Sequence, residues 1–65
     1  MYLDKIRVNI AMAKKGLNQK RLAAACGLSQ QAITTMLKKQ SCTPHTMYEL
    51  TQALGVTVEY LTKEE

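Results

Sequence analysis

Tryptophan and phenylalanine are absent from the 65 residues, and three tyrosines are the only aromatics. Without large rings the core has to come from Leu, Ile, Val, Met and Ala, which suits short, closely packed helices. No apolar run approaches the ~20 residues that span a bilayer, and no N-terminal stretch has a signal peptide's layout. The expected location is therefore the reducing cytoplasm. Cysteine occurs only at Cys26 and Cys42, a spacing that fits no CxxC or Cys/His metal site, so both read as free thiols. One His and one Asp leave no Ser/His/Asp constellation, and no phosphate-cradling Gly loop is present. An enzyme is not expected, nor a cofactor, a metal or a small-molecule ligand.

Acidic residues are missing from most of the chain. They fall at Asp4, Glu49, Glu59, Glu64 and Glu65, so residues 5 to 48 carry eight Lys and Arg against none, within a net charge of +4. Residues 49 to 65 sum to −3, from one Lys and four Glu. A basic surface of this kind is often simply solvated, but it is also the electrostatic footprint that phosphates require. A chain this short buries only about 60 % of its unfolded surface, which makes one domain over 1–65 and no deep cleft the expectation.

Helical periodicity and terminal signals predict five short helices. Helix 1 is expected from about Leu3 to Lys15, with Ile6, Ile10 and either Val8 or Met12 inward, and Gly16 stopping it. Asn18 is positioned to cap helix 2, which runs to about Cys26 with Leu22 and Ala23 inward. Gly27-Leu28 makes a turn and Ser29 caps helix 3. Ile33, Met36 and Leu37 form the buried face of helix 3, which ends near Lys38 or Lys39. Thr43-Pro44 opens helix 4 as an N-cap followed by Pro in the first turn; Met47, Leu50 and Leu54 share its inner face and Gly55 closes it. Thr57 caps a last helix carrying Tyr60 and Leu61.

The spacing Gln19-x3-Ala23-x3-Gly27-x5-Ile33-x2-Met36 places small or apolar residues where two short helices cross at a tight turn, the pattern of a helix-turn-helix. Together with Gly16-Leu17-Asn18-Gln19, Gly27-Leu28-Ser29-Gln30-Gln31, Pro44 and Ala53-Leu54-Gly55-Val56, it makes the chain resemble the Cro/C1-type helix-turn-helix domains of phage repressors and bacterial relatives. The resemblance covers about Val8 to Leu61. The Gln-Gln pair makes it especially similar to lambdoid phage repressor and Cro proteins. It implies an all-α, compact five-helix lambda-repressor-like DNA-binding domain, with helices 2 and 3 as the motif. Many members carry a buried Arg–Glu pair where this chain has Met12 and Leu37, which implies an apolar replacement of similar stability. The family's Gly after helix 3 is Lys39 here, so this helix is expected to end without a left-handed glycine.

A 100° step per residue puts Gln31, Thr35 and Lys38 opposite Ile33, flanked by Gln30 and Thr34. Consecutive Gln on a helix are most often solvated surface, and Thr often bonds its own backbone. The resemblance shifts this reading: it implies base contacts by Gln30 and Gln31, and by Thr34 and Thr35, from a helix that enters the major groove N-terminus first. It implies backbone phosphate contacts by Asn18 and Gln19 at the start of helix 2, where free N–H groups favour anions. Lys38, Lys39, Gln40 and Ser41 are the matching edge after helix 3. His45 is a candidate for the minor groove, or an ordinary exposed His.

Few base contacts per copy imply a homodimer on double-stranded DNA, with Pro44, Val56 and Val58 as candidate interface and Val58 the expected exposed apolar residue. Val56 and Leu61 are expected to finish the monomer core. The function implied is a sequence-specific transcriptional regulator, a repressor occupying an operator, either as a stand-alone chain or as the N-terminal piece of a longer repressor. The alternative is an antitoxin-type protein-interaction module that also binds its own operator.

Overall fold

Five helices follow in chain order in the computed structural model, which describes residues 1–63: α1 (Lys5–Lys15), α2 (Gln19–Cys26), α3 (Gln30–Lys39), α4 (Pro44–Leu54) and α5 (Val58–Leu61). Glu64 and Glu65, half of the acids in the expected negative tail, lie outside the described residues. Every helix starts on a side chain that accepts a backbone N–H: Asp4, Asn18, Ser29, Thr43 and Thr57. Each satisfies donors that the first turn would otherwise leave open. None of the described helices is long and apolar enough to cross a membrane.

The first four helices also end alike. Gly16, Gly27 and Gly55 adopt left-handed backbone (φ +67°, +69° and +67°), which glycine alone takes without steric cost. The N–H of the residue after each glycine, Leu17, Leu28 or Val56, turns back to the carbonyl of Met12, Ala23 or Thr51 at 2.9, 2.9 and 3.2 Å. Each of these residues then packs its side chain on the core. At the end of α3 the Ser41 N–H bonds the Met36 carbonyl at 3.3 Å, but the left-handed residue is Gln40 (φ +55°) and the following residue is polar. Lys39, at the position of the family's glycine, remains helical. A non-glycine residue here costs about 1–2 kcal/mol.

The N-terminus holds that turn in place. Residues 1–4 run extended between the loop after α3 and the end of α5. The Leu3 N–H donates to the Gln40 carbonyl (2.8 Å), and Met1 and Cys42 exchange bonds through the Cys42 N–H (3.0 Å) and the N-terminal ammonium (2.9 Å). On the other side the Asp4 N–H donates to Leu61 (2.8 Å) and the Lys63 N–H to Tyr2 (3.1 Å). Both pairings are antiparallel. Leu3 is fully buried, so it belongs to this extended segment and the core rather than to α1, whose start is set by the Asp4 cap.

The same clasp decides which face of α1 is buried. Val8, Ala11 and Met12 are buried, whereas Ile6 is 71 % and Ile10 43 % exposed, against the sequence expectation for both isoleucines. At 100° per residue Ile6 and Ile10 lie about 160° from Val8, so α1 carries two apolar stripes and only one can face in. Arg7 anchors the rotation: its Nη1 donates to the Tyr60 carbonyl (3.1 Å) and its guanidinium carbon lies 5.3 Å from the Tyr60 ring centroid.

The core joins Leu3, the inner face of α1, Leu22 and Ala23 of α2, Ile33, Met36 and Leu37 of α3, Met47, Leu50 and Leu54 of α4, and Leu61 of α5. Met12 and Leu37 are both buried in it, as the apolar replacement of an ion pair requires. Thr51 is the buried polar residue, and its hydroxyl donates to the Tyr48 carbonyl at 2.6 Å.

Candidate nucleic-acid interface

The α2–α3 unit is built locally. Asn18 Oδ1 accepts the Arg21 N–H at 2.8 Å and starts α2; Gly27 ends it; two residues later Ser29 Oγ accepts the Ala32 N–H at 3.1 Å and starts α3. Ala23 is buried between the helices, where a larger side chain would hold them apart. With Ile33, Met36 and Leu37 turned into the core, the rest of α3 follows from helical geometry. Gln30, Gln31, Thr34, Thr35, Lys38 and Lys39 are all exposed. Ala32 and Met36 floor a shallow open depression along one side, rimmed by Gln31, Thr35, Lys39 and Ser41.

The other predicted residues are distributed unevenly around this face. Gln19, half-buried in the first turn of α2, is joined to α3 by a hydrogen bond from the Thr34 hydroxyl to Gln19 Oε1 at 2.7 Å. That hydroxyl also lies 3.0 Å from the Gln30 carbonyl. Asn18 has its carboxamide oxygen engaged in the cap, leaving its amide N–H groups as donors. At the far end Lys38, Lys39 and Ser41 are exposed, while Gln40 is half-buried and its Oε1 accepts from Lys63 Nζ at 3.3 Å.

His45, in the first turn of α4, is exposed with Nε2 3.9 Å from Glu49 Oε1, on the same helix. Pro44 is exposed, but Val56 and Val58 are half-buried and packed on the core. For Val58 this corrects the expectation of an exposed apolar residue: in the first position of a four-residue helix it turns back onto the same core as Leu61.

The electrostatics favour an anion on the α2–α3 side. Arg7 is occupied by Tyr60 and by Asp4 at 3.7 Å, and the Lys15 side chain lies over Gly55. Lys20, Arg21, Lys38 and Lys39 are exposed and form no ion pair among the described residues; the same holds for Lys5 and Lys14 of α1, and α2 and α3 carry no acid to offset their four cations. Burial raises the Cys26 thiol above its ordinary range, with the Glu49 carboxylate adding to the effect. Burial also raises Cys42, against the N-terminal ammonium. Both thiols are free. Among the described residues no group of His, Cys, Asp and Glu is arranged to hold a metal ion.

Sequence reasoning missed two parts of this arrangement, the Gln19–Thr34 bond and the clasp of residues 1–4 on the Gln40–Cys42 loop. Both join residues far apart in sequence. A hint of the clasp lies in the apolar Met1-Tyr2-Leu3 ahead of Asp4, a residue type that caps helices.

Among curated proteins and among solved structures, nothing matches the chain. A family model does: the helix-turn-helix model matches residues 9–61, spanning most of α1 through the end of α5. Two capped helices crossing at Ala23 and Gly27, a polar and basic outer face on the second, and that match over most of the chain agree: the protein belongs to the Cro/C1-type helix-turn-helix family of DNA-binding regulators, which is not a family of enzymes.

Proposed function

We propose that the chain is a sequence-specific transcriptional repressor that occupies a pseudo-palindromic operator as a homodimer, with α3 in the major groove. The observation that carries this reading is the outer face of α3: Gln30 and Gln31 stand exposed in its first turn, immediately after the Ser29 cap, in a stretch of 44 residues without an acid. A Gln amide matches the N6 and N7 edge of adenine, and each good bidentate pair discriminates by about 1–3 kcal/mol. Gln31 and Thr35 line the depression beside α3, where a base edge would lie. Gln19, Asn18, Lys38, Lys39 and Ser41 hold phosphates at the two ends of the motif, and Gln40 joins them through its Nε2 protons while its Oε1 accepts from Lys63. These contacts fix register without reading sequence.

The molecule's longest dimension is 28 Å. Half-sites recur about 34 Å apart along the duplex, and each copy carries a single α3, so two copies fill the two half-sites. The proposed contact between copies is centred on Pro44, with the exposed parts of Val56 and Val58.

Selection of bound duplexes from a random library tests the proposal and identifies the operator. Affinity for the selected site is expected to fall steeply with salt, as Lys and Arg displace counterions from phosphates. Gln30→Ala and Gln31→Ala relax preference at one or two A·T positions per half-site, whereas Lys38→Ala weakens all sequences alike. If both Gln substitutions leave selectivity intact, α3 does not read bases in this way.

One observation favours a second reading, a protein-interaction module: the outer stripe of α1, where Ile6 and Ile10 are exposed. Co-purification with a partner that Ile6→Glu abolishes, while DNA binding persists, would support it.

A further inference from the structure

We propose that Thr34 is a positioning residue for Gln19, setting the grip on the DNA backbone rather than reading a base. The inference rests on the DNA-binding reading of the α2–α3 unit and refines it. Thr34 stands on the exposed side of α3, where its hydroxyl would ordinarily be free to meet a base edge. Here it lies 2.7 Å from Gln19 Oε1 and 3.0 Å from the Gln30 carbonyl. A hydroxyl has one proton to give, so it cannot donate to both oxygens.

Turning over the Gln19 amide satisfies all three groups. Gln19 Nε2 then donates one proton to Thr34 Oγ1, and the Thr34 hydroxyl gives its own proton to the Gln30 carbonyl, the backbone bond that helical Thr commonly makes. In either arrangement the hydroxyl's proton is spent within the protein, and Thr34 has no donor left for a base. In the second, the other Nε2 proton of Gln19 remains free for a phosphate oxygen.

The position of Gln19 makes this consequential. It is the first residue of α2, after the Asn18 cap, where backbone N–H groups are open and an anion is favoured. An untethered Gln side chain would lose its rotamer freedom on binding, a cost that tethering to Thr34 removes beforehand. The bond also crosses between the two helices, from α2 to a residue 15 positions later on α3. The phosphate contact and the recognition helix thus share one fixed geometry.

A double-mutant cycle tests the proposal. Affinities at fixed salt are measured for a duplex selected by the protein from a random library and for a shuffled duplex of equal composition. The proteins compared are the wild type, Thr34→Val, Thr34→Ser, Gln19→Ala and the Thr34→Val/Gln19→Ala pair. Thr34→Val keeps the methyl and loses the hydroxyl; it is expected to weaken both duplexes by the same factor, about two- to tenfold, as for loss of one hydrogen bond. The double variant is expected to be no weaker than Gln19→Ala alone, and Thr34→Ser to retain wild-type affinity. Thermal melts verify that these substitutions leave the fold intact. Additive losses, a changed base preference in Thr34→Val, or failure of Thr34→Ser to retain affinity would each overturn the positioning role while leaving DNA binding standing. A wild-type protein that selects no duplex overturns the DNA-binding reading itself, and this inference with it.

Discussion

The α2–α3 unit and the clasp at the chain ends are built by opposite means. In the first, caps, turn and crossing all lie between Asn18 and Lys39, and the signals sit beside the structures they produce. In the second, residues 1–4 are held by partners near 40 and 62, and little in their own sequence indicates how. The contrast separates parts of a small domain that are encoded locally from parts that exist only once the rest is assembled. It also divides the proposed function, since the local part carries the face of α3 assigned to DNA and the non-local part holds the loop that follows it.

The largest test of this contrast is Leu3→Ala. Leu3 lies outside every helix yet is fully buried, so its truncation should cost about 2–5 kcal/mol, as much as Leu22→Ala within the motif. Thermal or urea unfolding measures both. A cost below about 1 kcal/mol would mean that the clasp is dispensable and the comparison wrong.

Next come the two turns that flank α3. Gly27→Ala should destabilise by about 1–2 kcal/mol through backbone conformation alone, because a Cβ there would meet no atom within 4 Å. Gln40→Gly should act in the opposite sense, relieving the same strain less glycine's added unfolded-state entropy, for a net gain under about 1 kcal/mol. Urea midpoints compared at equal m-values check both. If Gln40→Gly destabilises instead, the Lys63 contact to its side chain outweighs the strain.

The smallest expected effect is on the outer face of α1. Ile6→Lys should change stability by no more than about 0.5 kcal/mol, whereas Val8→Ala on the inner face should cost clearly more. A strongly destabilised Ile6→Lys protein would return that side chain to the core and undo the assignment of faces.

Much of the fold was legible because its information is short-range. Asn18, Ser29, Thr43 and Thr57 cap the helices the sequence predicts, and Gly16, Gly27 and Gly55 end them. The exposed face of α3 followed from a 100° step once Ile33, Met36 and Leu37 were turned inward. The face of α1 was not legible: Ile6 and Ile10 make as good a stripe as Val8, Ala11 and Met12, and only the Asp4 and Arg7 contacts with α5 choose between them. The left-handed Gln40 was hidden for the same reason, since it depends on Leu3, 37 residues earlier. At the candidate site the exposed residue types could be read, but not the Thr34 bond that commits one of them to Gln19.

The clasp has a consequence for how the molecule folds. Its bonds join Tyr2 to Lys63 and Met1 to Cys42, residues far apart in the chain, whereas the α2–α3 crossing closes a short loop. Loop-closure entropy rises with length and must be met before distant contacts can repay it. The helical pair therefore assembles early, and the end-to-end seam forms last and opens first. Amides of Leu3, Asp4 and Lys63 should exchange with solvent sooner than those of Ile33 and Leu37. Each such opening should free the segment at Gln40–Cys42 while α3 stays folded, giving the loop after α3 a mobility that its neighbours lack.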